Sequence, residues 1–180
     1  MIGVPVGLAY SNMLEWAIHK YLLHGWGKRR RSFWRFHFFD HHRASRQNEF
    51  RDADYAESVF QWNAQGKEAL TLTLGTLAHL PLAPIAPFFT ATVFYSSVRY
   101  YRMHRRSHLD PEWGREHMPW HYDHHMAPNQ DSNWCVTHPW FDEIMGTRVP
   151  YKDTPREQLD RARRRKAREQ RRARKLKRAS

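Results

Sequence analysis

Ten of the thirteen histidines in this 180-residue chain fall into four short groups. His19 and His24 flank Lys-Tyr-Leu-Leu. His37, His41 and His42 stand in His-Phe-Phe-Asp-His-His. His104 and His108 frame Arg-Arg-Ser, and His121, His124 and His125 stand in His-Tyr-Asp-His-His. A neutral imidazole offers one nitrogen lone pair, so grouped histidines point first to metal binding. Residues four apart share a helix face with Cβ atoms about 5–6 Å apart, so His104 and His108 can reach one ion together. Adjacent histidines diverge by about 100° on a helix and can serve different ions. One such pair is weak grounds, but four groups beside apolar or aromatic segments are strong. Ten imidazoles exceed the needs of one ion and suit two, each with an open position. Imidazole accepts Fe, Zn, Cu and Ni alike, so the ligands do not name the metal.

The acids beside these groups, Glu15, Asp40 and Asp123, are the expected acceptors for imidazole N–H groups, which would fix each ring's tautomer. His117 and His138 stand near the last group and are expected to hydrogen-bond rather than ligate.

The elements that must carry these residues read as all-α. Met1 to Leu23 is largely apolar and close to the roughly 20 residues of a membrane helix. Lys28, Arg29, Arg30 and Arg31 follow it, a flank that predicts a cytoplasmic end. A second apolar stretch runs from Ala69 to Val98, with no charged residue between Glu68 and Arg99. Pro81, Pro84 and Pro87 interrupt it, so it reads as two short helices joined by a proline turn. Each leg is too short for a full span, which predicts a shallow or re-entrant hairpin. Histidines before and after it can share a site only if the chain returns to the side it left. Lys67 before it, and Arg99, Arg102, Arg105 and Arg106 after it, agree on the cytoplasmic side.

Charge divides the chain again. Of the net charge of +12, the segment from Pro155 to Ser180 supplies +10, from thirteen Lys/Arg against three Asp/Glu. The body is therefore nearly neutral, which argues against nucleic acid as its partner. We expect one domain over residues 1–153 and a basic tail over 154–180. Thr154-Pro155-Arg156-Glu157 predicts a helix start with a capping box. The tail reads as an electrostatic anchor to anionic lipid or as a solvated segment, with RNA a third partner. Cys135, the single cysteine, excludes an intrachain disulfide and a thiolate zinc site. No cleavable leader is expected.

The combination resembles the fatty acid hydroxylase superfamily, which includes sterol desaturases, lipid hydroxylases and carotene hydroxylases. Glu15 to Gly27 is similar to the family's first histidine box. From His121 the chain resembles its closing pattern: the last His-x-x-His-His, Pro128, Asn133-Trp134-Cys135-Val136-Thr137, then Trp140 to Thr147. Cys135 stands where the family usually has glycine, and Phe141 separates the tryptophan from Asp142. The resemblance spans roughly Leu14 to Thr147.

It implies a membrane-bound enzyme with two irons (or zinc, as purified) on the ten histidines. Such an enzyme uses O2 to hydroxylate or desaturate a lipid, sterol or carotenoid. The chain shows no haem-binding or flavin-binding segment, so a separate ferredoxin or cytochrome-type donor is implied. The rival from another class is a non-enzymatic histidine-rich metal-binding protein with a nucleic-acid- or membrane-binding tail. It leaves the hairpin and the Trp134–Thr147 segment without a role. Trp113, Trp120, Trp134 and Trp140 fit either a roof over the site or an interfacial belt.

Overall fold

A computed structural model describes residues 2–179, with side chains through residue 174. Among the described residues every regular element is helical. Helix α1 (Gly3–Ala17) continues without a break into a π-helical segment, π1 (Ile18–Trp26). A second, π2 (Phe36–His42), runs into α2 (Arg43–Gln47). Two long helices follow, α3 (Ala64–Leu77) and α4 (Pro87–Leu109). The short helices α5 (Pro111–His117), α6 (Pro119–Met126) and α7 (Trp140–Ile144) complete this part of the chain.

Local chemistry sets these boundaries. The Asn63 side chain accepts from Gly66 N at 2.9 Å and caps α3. Helices α4, α5 and α6 each begin on a proline, where the missing N–H is no loss. Pro81 lies in a 3-10 turn over Leu80–Leu82, so the apolar stretch is indeed two helices around a proline turn. Its second leg is longer than expected. No glycine or proline interrupts residues 88–109, so α4 carries the apolar leg, His104 and His108 on one 23-residue rod. Helix α1 lies close against α4 through Gly3 and Gly7. A Cβ at these positions would stand 2.8 Å from Phe89 N and from Thr92 Cβ respectively.

The polarity of this fold is inverted. Three of its apolar clusters are each built on three buried residues. Among its largest fully buried side chains are eight histidines. Large hydrophobics instead face outward from α1 and from the α3–α4 hairpin, among them Val6, Leu74, Phe88 and Val98, with Ile85 80 % exposed. No helix among the described residues is long and apolar enough to cross a membrane, α1 included.

The chain divides into two compact units, one through Val149 and one from Pro150. The second holds α8 (Pro155–Ala179). Thr154 Oγ1 accepts from Glu157 N at 3.2 Å, and the Glu157 carboxylate accepts from Asp153 N at 2.6 Å. This cap closes one residue earlier than a capping box does.

Candidate metal centre

Nine histidines gather into two buried groups, and within each the ligand atoms all lie within 4.8 Å of one another. The first contains His19, His24, His37, His42 and His124. The second contains His41, His104, His108 and His125. The tenth, His121, is also buried, with Nε2 3.1 Å from His108 Nε2 at the edge of the second group. The adjacent pairs divide as helical divergence requires: His41 and His42 go to different groups, as do His124 and His125.

The π segments explain a spacing that α-helical geometry does not. His19 and His24 are five apart, as are His37 and His42. A π turn closes on i→i+5, so each pair returns to one face. His104 and His108, four apart, sit on regular α-helix.

Ring orientation is fixed from behind. In the first group, His19 Nδ1 donates to the Trp134 carbonyl at 2.5 Å and His124 Nδ1 donates to the Ser132 carbonyl at 2.6 Å. His42 Nδ1 lies 2.9 Å from the Gln130 side-chain amide, and His24 Nδ1 lies 3.4 Å from Asp131 Oδ1. In the second group, His41 Nδ1 donates to Asp52 at 2.7 Å and His104 Nδ1 to Glu68 at 2.9 Å. His108 Nδ1 donates to the Phe50 carbonyl at 2.8 Å. Carbonyls and carboxylates only accept, so these five rings carry their proton on Nδ1 and aim the Nε2 lone pair inward.

The inward nitrogens then face one another. His19 and His37 Nε2 are 2.9 Å apart, His24 and His42 3.2 Å, His37 and His42 3.1 Å, and His42 and His124 3.1 Å. His42 Nε2 thus faces three other nitrogens, and one imidazole nitrogen offers either one proton or one lone pair, so these contacts cannot all be hydrogen bonds, whereas a cation among them would accept every lone pair. Two nitrogens bound at right angles to one ion, each about 2.1 Å from it, stand about 3.0 Å apart. In the second group, His41, His104 and His125 Nε2 are buried without any partner. The donor set fits two metal ions. It also supplies neutral ligands: burial, reinforced by neighbouring rings, holds His41, His42, His108, His121 and His125 well below the ordinary imidazole pKa. Burial lowers His124 to about 4.

The expected acid partners are placed differently. The Glu15 carboxylate accepts from Val136 N at 3.1 Å, Thr137 N at 2.9 Å and Thr137 Oγ1 at 2.7 Å. It thus clamps the segment that presents the Trp134 carbonyl. Asp40 is solvent-facing, 3.9 Å from Arg35, because the residue beside an inward ligand on a helix points elsewhere. Asp123 is buried and pairs with Arg148 at 2.8 Å. His117 donates to the Trp113 carbonyl at 3.1 Å and stacks on that indole, while His138 stacks on Trp140. Of the four tryptophans, Trp134 is the one that packs on ligand rings, 4.9 Å from His24 and 5.8 Å from His19.

The acids that do hold imidazoles are Asp52 and Glu68, which sequence reading missed. Burial raises Asp52 to about 6. Glu68 also accepts the hydroxyl hydrogen of Tyr55. Its signal was its position, the last charge before thirty uncharged residues. Asp142 has a role its motif did not reveal. Its carboxylate accepts from Trp134 N and Cys135 N, both at 2.8 Å, and from Thr147 Oγ1 at 2.7 Å. Asn133, at φ 58°, accepts from Arg148 and Val149 N, both at 2.8 Å. The segment from Asn133 to Thr147 is therefore a brace behind the first group.

A cavity of about 330 Å³ lies among α1, α3 and α4. Leu14, Ile18, Leu23, Phe36, Leu72 and Val93 form much of its wall, and His19, His37 and Glu68 line it as well.

Comparison with known proteins gives one family. The model of the fatty acid hydroxylase family matches residues 4–147. Neither the curated proteins nor the solved structures gave a match.

Proposed function

Because the chain belongs to the fatty acid hydroxylase family, we propose that it is a membrane-bound hydroxylase of lipid-like substrates that uses O2 and two iron ions. The observation that carries this reading is the set of inward, closely crowded imidazole nitrogens beside an apolar cavity. His19, His24, His37, His42 and His124 would hold one ion, and His41, His104, His108 and His125, with His121 beside them, the other. Iron bound there supplies the activation of O2 and the oxidation of a C–H bond.

The protein's own residues do the rest. Leu14, Ile18, Leu72 and Val93 exclude water from the cavity and place an alkyl segment against the face of the first group. Hydroxylation puts one oxygen atom into a C–H bond and reduces the other to water, which consumes two electrons and two protons. The electrons come from a separate ferredoxin or cytochrome-type donor. Glu68 lines the cavity, takes the Tyr55 hydroxyl hydrogen and holds His104, so it links the cavity wall to the second group by hydrogen bonds.

Membrane attachment is supported by the outward apolar side chains of α1 and the hairpin, Val6, Leu74, Leu77, Ile85 and Phe88 among them. These helices dip into the bilayer without crossing it. The basic residues Lys28 to Arg31 and the tail then favour the cytoplasmic side. The test is purification in detergent with metal analysis, followed by incubation with lipid extract, donor and O2. About two irons per chain and an O2-dependent gain of oxygen in a lipid are expected. A metal-loaded chain that leaves every lipid unchanged would overturn the reading in favour of a metal-binding protein.

A further inference from the structure

The cavity has a second end. Its wall away from the ligand histidines is formed by Tyr10, Ser11, Gly75, Thr76 and His79. His79 Nδ1 is 2.8 Å from the Gly75 carbonyl, which only accepts, so in neutral His79 the proton sits on Nδ1. Nε2 is then an acceptor, and Tyr10 O–H donates to it at 2.9 Å. Across the wall, Thr76 Oγ1 donates to Ser97 Oγ at 2.7 Å, and Ser97 passes its own proton to a helix carbonyl at 3.1 Å. Every one of these hydroxyl protons points into the protein, and the oxygen lone pairs of Tyr10 and Thr76 are left over. Ser11 Oγ is enclosed and has no partner at all. This polar end accepts hydrogen bonds at Tyr10 and Thr76, has in Ser11 one hydroxyl that can donate or accept, and closes a cavity whose middle is apolar.

We propose that this end is a subsite for an alcoholic hydroxyl group, so that the substrate is a lipid alcohol bound with its O–H on Tyr10 and its reacting carbon near His19. This rests on the hydroxylase reading and narrows it. Ser11 and His19 are eight residues apart on one continuous helix, which sets hydroxyl and reacting carbon about 12 Å apart. A ketone, an ester carbonyl or a carboxylate offers only lone pairs, which Ser11 alone can meet, whereas an alcohol can donate to Tyr10 or Thr76 and accept from Ser11 as well. Linear and ring-based alcohols share this chemistry, and the test separates them.

Binding is measured by equilibrium dialysis of the detergent-purified, metal-loaded protein with radiolabelled 1-dodecanol, cholesterol and the methyl ether of each. At least one alcohol is expected to bind about three- to tenfold more tightly than its ether, the factor that one neutral hydrogen bond carries. The skeleton that shows this preference identifies the lipid as chain or ring. Tyr10→Phe removes a single oxygen and should bring the ratio to about one. If that variant fails to fold, Thr76→Val should reduce the ratio instead. Equal binding of alcohol and ether to the parent protein, or a ratio that survives Tyr10→Phe, overturns the inference and leaves a lipid site standing. Failure of all four probes to bind overturns the lipid reading as well.

Discussion

The two histidine groups are built alike in front and differently behind. The first is backed by one stretch of braced loop, through the main-chain carbonyls of Trp134 and Ser132 and the side chains of Gln130 and Asp131. The second is aimed by carboxylates, Asp52 and Glu68, and by one carbonyl, that of Phe50. A carbonyl is neutral and survives any side-chain substitution, so the first group depends on residues that hold the loop, Glu15 and Asp142. A carboxylate carries charge and makes its imidazole a stronger donor. Orientation is thus delegated to a loop in one group and to single side chains in the other.

The largest expected effect removes the contrast altogether. Chelation of both ions should lower the melting temperature by about 10 °C or more, because ten buried imidazoles would face each other without a cation. Thermal unfolding with and without chelator measures it.

Next, His124→Ala and His125→Ala should break one group each. Both are expected to abolish turnover, since the proposed chemistry needs both ions, while metal analysis falls from about two per chain toward one. Acidification acts on both groups. His124 is depressed from its unfolded value near 6.5 to about 4. The metal-free protein therefore has this contribution in full above pH 6.5 and loses it as pH falls toward 4, where the unfolded chain takes up protons that the folded one refuses. Denaturant titration of chelated protein across that range tests the sign, and stability that rises toward pH 4 would contradict it.

The contrast is sharpened by outer partners. Asp52→Asn should weaken metal affinity about 10–100-fold in the second group alone, and Asp142→Asn should do so in the first alone. Competitive metal titration resolves the two losses, and equal losses from both groups in either variant would erase the distinction. The smallest effect belongs to His138→Ala. His138 stacks on Trp140 outside both groups, so this variant should keep two ions and most activity in an O2-dependent lipid assay.

Much of the centre was legible because imidazole is scarce and its spacing carries geometry. The division of His41 from His42 follows from helical divergence alone. The proline turn and the need for α3 and α4 to meet at a shared site followed from Pro81, Pro84, Pro87 and the placement of the histidines around them. The partners behind the rings were not legible. Asp40 was chosen because it adjoins His41, yet adjacency on a helix turns a side chain away from its neighbour's target. The true partner of His41 lies eleven residues on, and that of His104 thirty-six residues back, distances over which no local period operates. Nor does a five-residue histidine spacing disclose a π turn, since the same letters on an α-helix would merely place the rings apart.

Those π turns make chain length, more than residue identity, the heritable quantity between ligands. Substituting Lys20 to Leu23 with other helix formers should leave His19 and His24 on one face, since the five-residue step is kept. Deleting any one of the four leaves the pair four apart, the spacing at which a regular α-helix keeps both rings on one face, as at His104 and His108. In a randomised library, mutants of these positions should tolerate wide changes of composition and a one-residue deletion that regularises the turn, but no insertion. The same asymmetry should recur between His37 and His42.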